Sequence, residues 1–322
     1  MKCMIFGTGG IHLITQIGML ESLCENGEDA CCFAGVSAGA LIASFCATRP
    51  LKEAIRELKE IIMNNLGSSA LTPNYNFLNA PRSALFKSSF FTDEKFTSIL
   101  KEKLLNKPLR ANLYIGVTDE TSMTYKLCYY AARGKNNEGM PIDQAVHGSM
   151  SIPLIFPGID YKEHHYVDGG CFHQVPVEAI KKIINHCREH DPHRQLNITI
   201  LTANPWSFAP KPTKSNGVGR MLKKTYRLLD SIQTMNMYSD RLILEEVMKE
   251  EELKKKKVDI NFSLYTVPME LAHELHDKYP FSKLDKLGIE DVNSLLQIGE
   301  NIVKYGVVYK SIKNGSKPSL KL

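Results

Sequence analysis

The chain has 322 residues, 43% of them apolar and 23% charged, and a net charge of +5 at pH 7. Such a chain can bury a sizeable core as one large α/β domain with insertions. The charge allows attraction to an anionic surface but does not mark a nucleic-acid binder, and no apolar run reaches the roughly 18 residues of a membrane span.

Lys2 to Phe6 reads as a buried first strand, broken by Gly7-Thr8-Gly9-Gly10. Ile11, Ile14, Ile17, Leu20 and Leu23 then recur at helical spacing as far as Asn26-Gly27. Ala30 to Ala34 is a second short apolar strand, followed by Gly35-Val36-Ser37-Ala38-Gly39 and an apolar helix over Ala40–Ala47. The order strand, glycine loop, helix, strand, serine turn, helix is a βαβα beginning and predicts a parallel sheet. The start of the first strand leaves no room for a secretory signal. Eight cysteines without a C-x-x-C pair read as free thiols of a reducing compartment.

Further on, Leu51–Asn65 has helical period, and Gly67–Ser89 is rich in Ser, Asn and Pro, as in a loop that borders or covers a site. Thr92 caps a helix running to about Leu105. Asn112–Val117 and Tyr125–Ala131 form a hairpin, and Gln144–Met150 a short helix. Pro153–Pro157 is read as a rigid extended segment, and His164–Val167 as a strand closing on Asp168-Gly169-Gly170. Pro176 opens a helix over Val177–His186, and Leu196–Leu201 is a core strand. After a Pro- and Lys-rich loop at Pro205–Gly219 come a long, broken helical region to Lys257, a last strand Asn261–Val267 and a last helix Asp291–Lys304. The tail from Lys313 is polar and frayed.

Gly35-Val36-Ser37-Ala38-Gly39 carries Gly-x-Ser-x-Gly between a strand and a helix. In that setting the serine hydroxyl stands on a sharp turn at the tip of the sheet, near the positive end of the helix. A serine needs a base before it can attack a carbonyl. Thr8-Gly9-Gly10 also follows a strand and opens a helix, so its N–H groups can converge on a developing oxyanion. A dinucleotide fingerprint is the rival reading of that loop, but His12 stands where its third glycine belongs. Asp168 lies at a strand end beside two glycines, where another loop can approach.

Taken together, these motifs resemble the patatin-like phospholipase family over about residues 2–205. Thr8-Gly9-Gly10-Ile11-His12-Leu13 stands where bacterial members have G-G-G-x-R-G, and Gln16-Ile17-Gly18-Met19-Leu20 resembles their H-I-G-V-L. Ser151–Pro157, Tyr166–Gly170 and Val175-Pro176-Val177 fit the family as well. The resemblance implies a three-layer α/β/α fold with a mostly parallel sheet. It makes Ser37 the nucleophile and Asp168 the base of a dyad, with Gly35, Gly39, Gly169 and Gly170 as motif residues. The oxyanion donors are then Thr8, Gly9, Gly10 and Ala38.

The residues favour a dyad over a triad independently, because none of the ten histidines sits in a motif that demands it. An aspartate base works only in direct contact with the serine and with its basicity raised by burial. The expectation is a cytoplasmic lipid acyl hydrolase acting on phospholipids or related glycerolipids through an acyl-enzyme. It uses no cofactor or metal, and its partners are lipid and, peripherally, an anionic membrane. Its core is residues 1–205, with 206–322 a helical region packed on the same domain. A catalytically silent lipid-binding protein and a nucleotide-binding α/β protein are the alternatives from other classes.

Overall fold

The strand Lys2–Phe6 (β1) alternates its side chains between two buried faces. Met4 and Phe6 enter one hydrophobic cluster, Cys3 and Ile5 another. Cys32–Val36 (β2) does the same, sending Phe33 one way and Cys32 and Ala34 the other. A strand apolar at every position fits a sheet covered on both sides, the arrangement characteristic of parallel α/β folds. The computed structural model describes residues 1–64, 72–73, 91–92, 94–132, 139–153, 155–191, 193–204, 220–253, 258–279 and 287–305.

Within that range the helices are Leu13–Glu25 (α1), Ala38–Thr48 (α2), Leu51–Asn64 (α3), Glu94–Leu104 (α4), Ile142–Met150 (α5), Val177–His190 (α6), Arg220–Leu253 (α7), Met269–Lys278 (α8) and Ile289–Tyr305 (α9). The strands after β2 are Thr72–Pro73 (β3), Phe91–Thr92 (β4), Asn112–Asp119 (β5), Thr124–Tyr130 (β6), Ile159–Tyr161 (β7), His164–Asp168 (β8), Leu196–Thr202 (β9) and Ile260–Thr266 (β10). The main sheet runs β10-β9-β1-β2-β5-β8-β7, with β6 also on β5, while β3 and β4 pair with each other. Pairings from β10 across to β5 are parallel; β6, β7 and β8 join antiparallel.

One face of the sheet carries the larger cluster, with Ile17 and Leu20 of α1, Ile42 and Phe45 of α2, and Leu295 of α9. The other carries Ile180 and Ile183 of α6 and Met237 and Leu244 of α7. Phe6, Phe33 and Phe45 are fully buried, and truncating any one to alanine costs about 3–5 kcal/mol. The expected three-layer α/β/α fold is the one observed. Among the described residues no helix is long and apolar enough to cross a membrane. The eight cysteines form no disulfide.

Two expectations change. The segment Pro153–Pro157, read as extended, instead folds back at its described residues, the Ile155 and Phe156 amides both donating to Ile152 O at 3.0 Å as in a helical turn. Proline suits the first position of such a turn, having no amide to lose there. Second, Arg220–Leu253 is one helix rather than a broken one. Its sequence contains neither proline nor glycine, so nothing interrupts the backbone hydrogen bonds. Most of the expected loop Gly67–Ser89, all of Pro205–Gly219, the Lys254–Lys257 run and the tail from Lys313 lie outside the described residues.

Candidate active site

β2 ends at Val36, and Ser37 turns the chain into α2 with φ 55° and ψ −130°. A positive φ on serine is a strained conformation, costing about 1–3 kcal/mol and persisting only where its surroundings hold it. Here packing and one hydrogen bond hold it. A side chain on Gly35 would stand 2.1 Å from Gly39 O, and one on Gly39 would stand 2.4 Å from Phe6 O. The first turn of α2 is therefore pressed against both β2 and the end of β1. The Ser37 amide donates to Ser149 Oγ at 2.8 Å, and Ser149 Oγ donates to Gly116 O at 2.6 Å. Ser149 thus pins the elbow to β5.

The sheet brings Asp168 to the same place. β6 occupies one edge of β5 along Leu113–Asp119, while β2 occupies the other along Asn112–Gly116. β8 pairs with Val117–Asp119, where β6 already holds one edge, so it continues the edge that β2 leaves. Val36 lies opposite Gly116 and Asp168 opposite Val117. Two strands running in opposite directions therefore end head to head, one delivering Ser37 and the other Asp168.

The Ser37 hydroxyl donates to Asp168 Oδ2 at 2.7 Å, with no residue between them. Asp168 Oδ1 accepts the Gly170 amide at 2.7 Å. The backbone of Asp168 is held on both sides, its amide donating to Ser151 O at 2.9 Å and its carbonyl accepting Thr118 Oγ1 at 2.9 Å. Both residues are buried, Ser37 at 6% and Asp168 at 5% exposure. Burial pushes the Asp168 carboxyl up to about 7, against the lowering effect of its bonds from Ser37 and Gly170.

The glycine loop closes the third side. A side chain on Gly170 would stand 3.0 Å from Thr8 Cγ2 and 2.9 Å from Asp168 Oδ1, so loop and turn touch. The Gly7 amide donates to Leu201 O at 2.9 Å and the Thr8 amide to Gln174 O at 2.8 Å. Thr8 is therefore corrected from oxyanion donor to anchor, because its amide is already engaged. Its hydroxyl donates to Gln174 Oε1 and accepts from Asn204 Nδ2 at 2.9 Å. Gln16 Nε2 ties the loop from behind, donating to Gly7 O and Thr8 O at 3.0 Å each. The amides of Gly9, Gly10 and Ala38 have no hydrogen-bond acceptor among the described residues. Gly10 has φ +49° with open space where a side chain would be.

Several histidines sit with other carboxylates. His164 Nδ1 lies 2.9 Å from Asp119 Oδ2, and His165 Nδ1 lies 2.6 Å from Asp160 Oδ1. His173 Nδ1 lies 2.6 Å from Asp240 Oδ1. Of these carboxylates, Asp160 is exposed whereas Asp119 is buried and accepts both the amide and the hydroxyl of Ser122 in the β5–β6 turn.

Sequence reasoning missed Ser149, Gln174, Asn204, Asn236 and Asp240. Ser149 lies two residues before the recognised Ser151–Pro157 run, and that nearness is its only local signal.

A serine on a strand–helix elbow, bonded to a carboxylate and flanked by a glycine loop, thus stands at one end of the mostly parallel sheet of an α/β fold. The chain matches the profile of patatin-like phospholipase over residues 4–181, more than half its length, and it belongs to that family. It is 28% identical over 195 residues to the uncharacterized protein YqhO of Bacillus subtilis, a match taking in 55% of this chain. That match covers 66% of the relative, slightly under two thirds of its length. It is 26% identical over 195 residues to human patatin-like phospholipase domain-containing protein 4, covering 56% of this chain and 68% of that one. Among solved structures, VipD of Legionella pneumophila aligns at 15% identity and TM-score 0.37, over 92% of this chain and 66% of that one.

Proposed function

We propose that the protein hydrolyses fatty-acyl esters of phospholipids or related glycerolipids by a Ser37–Asp168 dyad, through an acyl-enzyme. As Ser37 Oγ bonds to the ester carbonyl carbon, its proton passes to Asp168 Oδ2. The carbonyl electrons move onto oxygen, where the Gly9, Gly10 and Ala38 amides receive the charge. When the tetrahedral adduct collapses, the ester C–O bond breaks and the leaving alcohol takes the proton from Asp168. Water then attacks the acyl-enzyme, gives its proton to Asp168, and the fatty acid departs as that proton returns to Ser37.

The observation that carries this reading is the direct 2.7 Å bond from Ser37 Oγ to Asp168 Oδ2. A carboxyl poised at about 7 is better matched to proton transfer near neutral pH than one at the ordinary value of 3.8. Family membership supports a lipid substrate, and the net charge of +5 suits peripheral contact with an anionic lipid surface.

A fluorophosphonate probe followed by peptide mass spectrometry tests the nucleophile, and hydrolysis of a lipid panel tests the substrate class. Labelling at Ser37 is expected, with label and ester turnover both lost in Ser37→Ala, the turnover by about 10³-fold or more. A folded wild-type protein that binds lipid but takes no label would instead be a silent lipid-binding member of the fold. A single histidine whose replacement equals the Ser37→Ala defect would overturn the dyad.

A further inference from the structure

Beyond Asp168, the chain runs through a short 3-10 turn at Gly169–Cys171 and reaches α6 at Val177. The helix that fastens this turn is α7, which lies outside residues 4–181. Asn236 Nδ2 donates to Gly170 O at 3.1 Å and to Cys171 O at 2.8 Å. One helical turn later, Asp240 Oδ2 accepts the amides of Gln174 at 2.6 Å and Val175 at 2.9 Å, while Oδ1 bonds His173. Residues four apart share a helix face, so one face of α7 grips the whole of 170–175. Asp240 is completely buried, and Met237 beside it is set into the hydrophobic cluster, so the grip is rigid.

The held segment connects both halves of the site. Gly170 donates its amide to Asp168 Oδ1, and Gln174 O accepts the Thr8 amide that anchors the glycine loop. Gln174 Nε2 also returns to Gly170 O at 2.8 Å, closing the segment on itself. From these contacts we infer that Asn236 and Asp240 are positioning residues, through which α7 sets the placement of the Asp168 base and of the oxyanion loop relative to Ser37. The inference rests on the dyad reading above. Neither residue touches the reacting atoms; each acts through the backbone of 170–175. A misplacement of a reacting group by about 1 Å can cost 10²-fold in rate, which is why such a brace matters.

The test uses the full chain with Asn236→Asp, which keeps the side-chain shape but replaces the two donated bonds by repulsion between oxygens, and with Asn236→Ala. The rate of fluorophosphonate reaction at Ser37 is measured together with kcat and KM on a soluble short-chain p-nitrophenyl ester. Both Asn236 variants are expected to lose tenfold or more in kcat and in labelling rate, with KM within twofold of wild type. Tyr238→Ser, 61% exposed on the same helix, is expected to keep wild-type rates. Should Asn236→Ala fail to fold, the isosteric Asn236→Asp decides. Wild-type kcat and labelling in Asn236→Asp would overturn the inference, as would a loss confined to KM or an equal loss in Tyr238→Ser. Absence of labelling in the wild-type protein would sink the dyad reading itself, whereas labelling that no Asn236 variant changes sinks only the brace.

Discussion

An aspartate in water is a weak base, because its carboxylate holds a proton only below about pH 4. Asp168 departs from this through burial, which disfavours its charged form and brings the carboxyl to about 7. In the proposed mechanism it is the base and must be ionised to act, so kcat/KM is expected to rise with pH through about 7, which a pH–rate profile on a soluble ester reads directly. Stability carries the opposite sign. Between about pH 4 and 7 the folded protein holds a proton at this site that the unfolded chain has released. Folding stability from Asp168 therefore falls as pH rises across that window, by about 4 kcal/mol in all. Urea unfolding at several pH values checks this, and Asp168→Asn is expected to flatten that slope while stopping turnover. An Asp168→Asn protein with an undiminished slope would assign the pH dependence elsewhere.

The elbow shows how elements, rather than single residues, maintain a strained serine. β2 supplies the strand, α2 the helix, and the close approach of Gly39 to Phe6 O locks both against β1. The remaining support comes from α5, whose Ser149 hydroxyl receives the Ser37 amide and passes a bond to Gly116 O of β5. Removing that hydroxyl takes the acceptor from the buried Ser37 amide and one donor from Gly116 O. Ser149→Ala is accordingly expected to destabilise the protein by about 1–3 kcal/mol and to slow phosphonylation of Ser37, because the elbow relaxes. Denaturant titration together with labelling kinetics measures both; wild-type values for the two would show that packing alone holds the turn.

Across the whole molecule, the last helix is tied to the first. α9 crosses α1 so closely that a side chain on Gly18 would stand 2.1 Å from Leu296 O, and one on Gly299 2.1 Å from Thr15 O. Each glycine lets the other helix's backbone approach, and the obstructing atoms are main chain, which cannot swing aside. Gly299→Val is expected to cost about 1–3 kcal/mol or more by overpacking, lowering the urea midpoint. Thr15 adjoins Gln16, which holds the glycine loop from behind, so labelling of Ser37 at low denaturant is expected to slow as well. Wild-type labelling in a folded Gly299→Val protein would show that the helix pair does not reach the site.

Much of the molecule was legible from local pattern. β1, the glycine loop, β2 and α2 follow from apolar periodicity broken by small residues, and Ser37 and Asp168 were marked by the glycines around them. What escaped were the distant contacts that hold those two residues in place. Ser149 stands 112 positions from Ser37, and Asp240 stands 66 from Gln174, so neither leaves a trace in the residues beside it. The Thr8 amide, engaged by Gln174 O, belongs to the same group. Chain order can specify which residues carry reactive groups and which backbone turns they need. Whether an amide is already bonded, or a carboxyl stripped of water, is a sum over neighbours that only folding assembles.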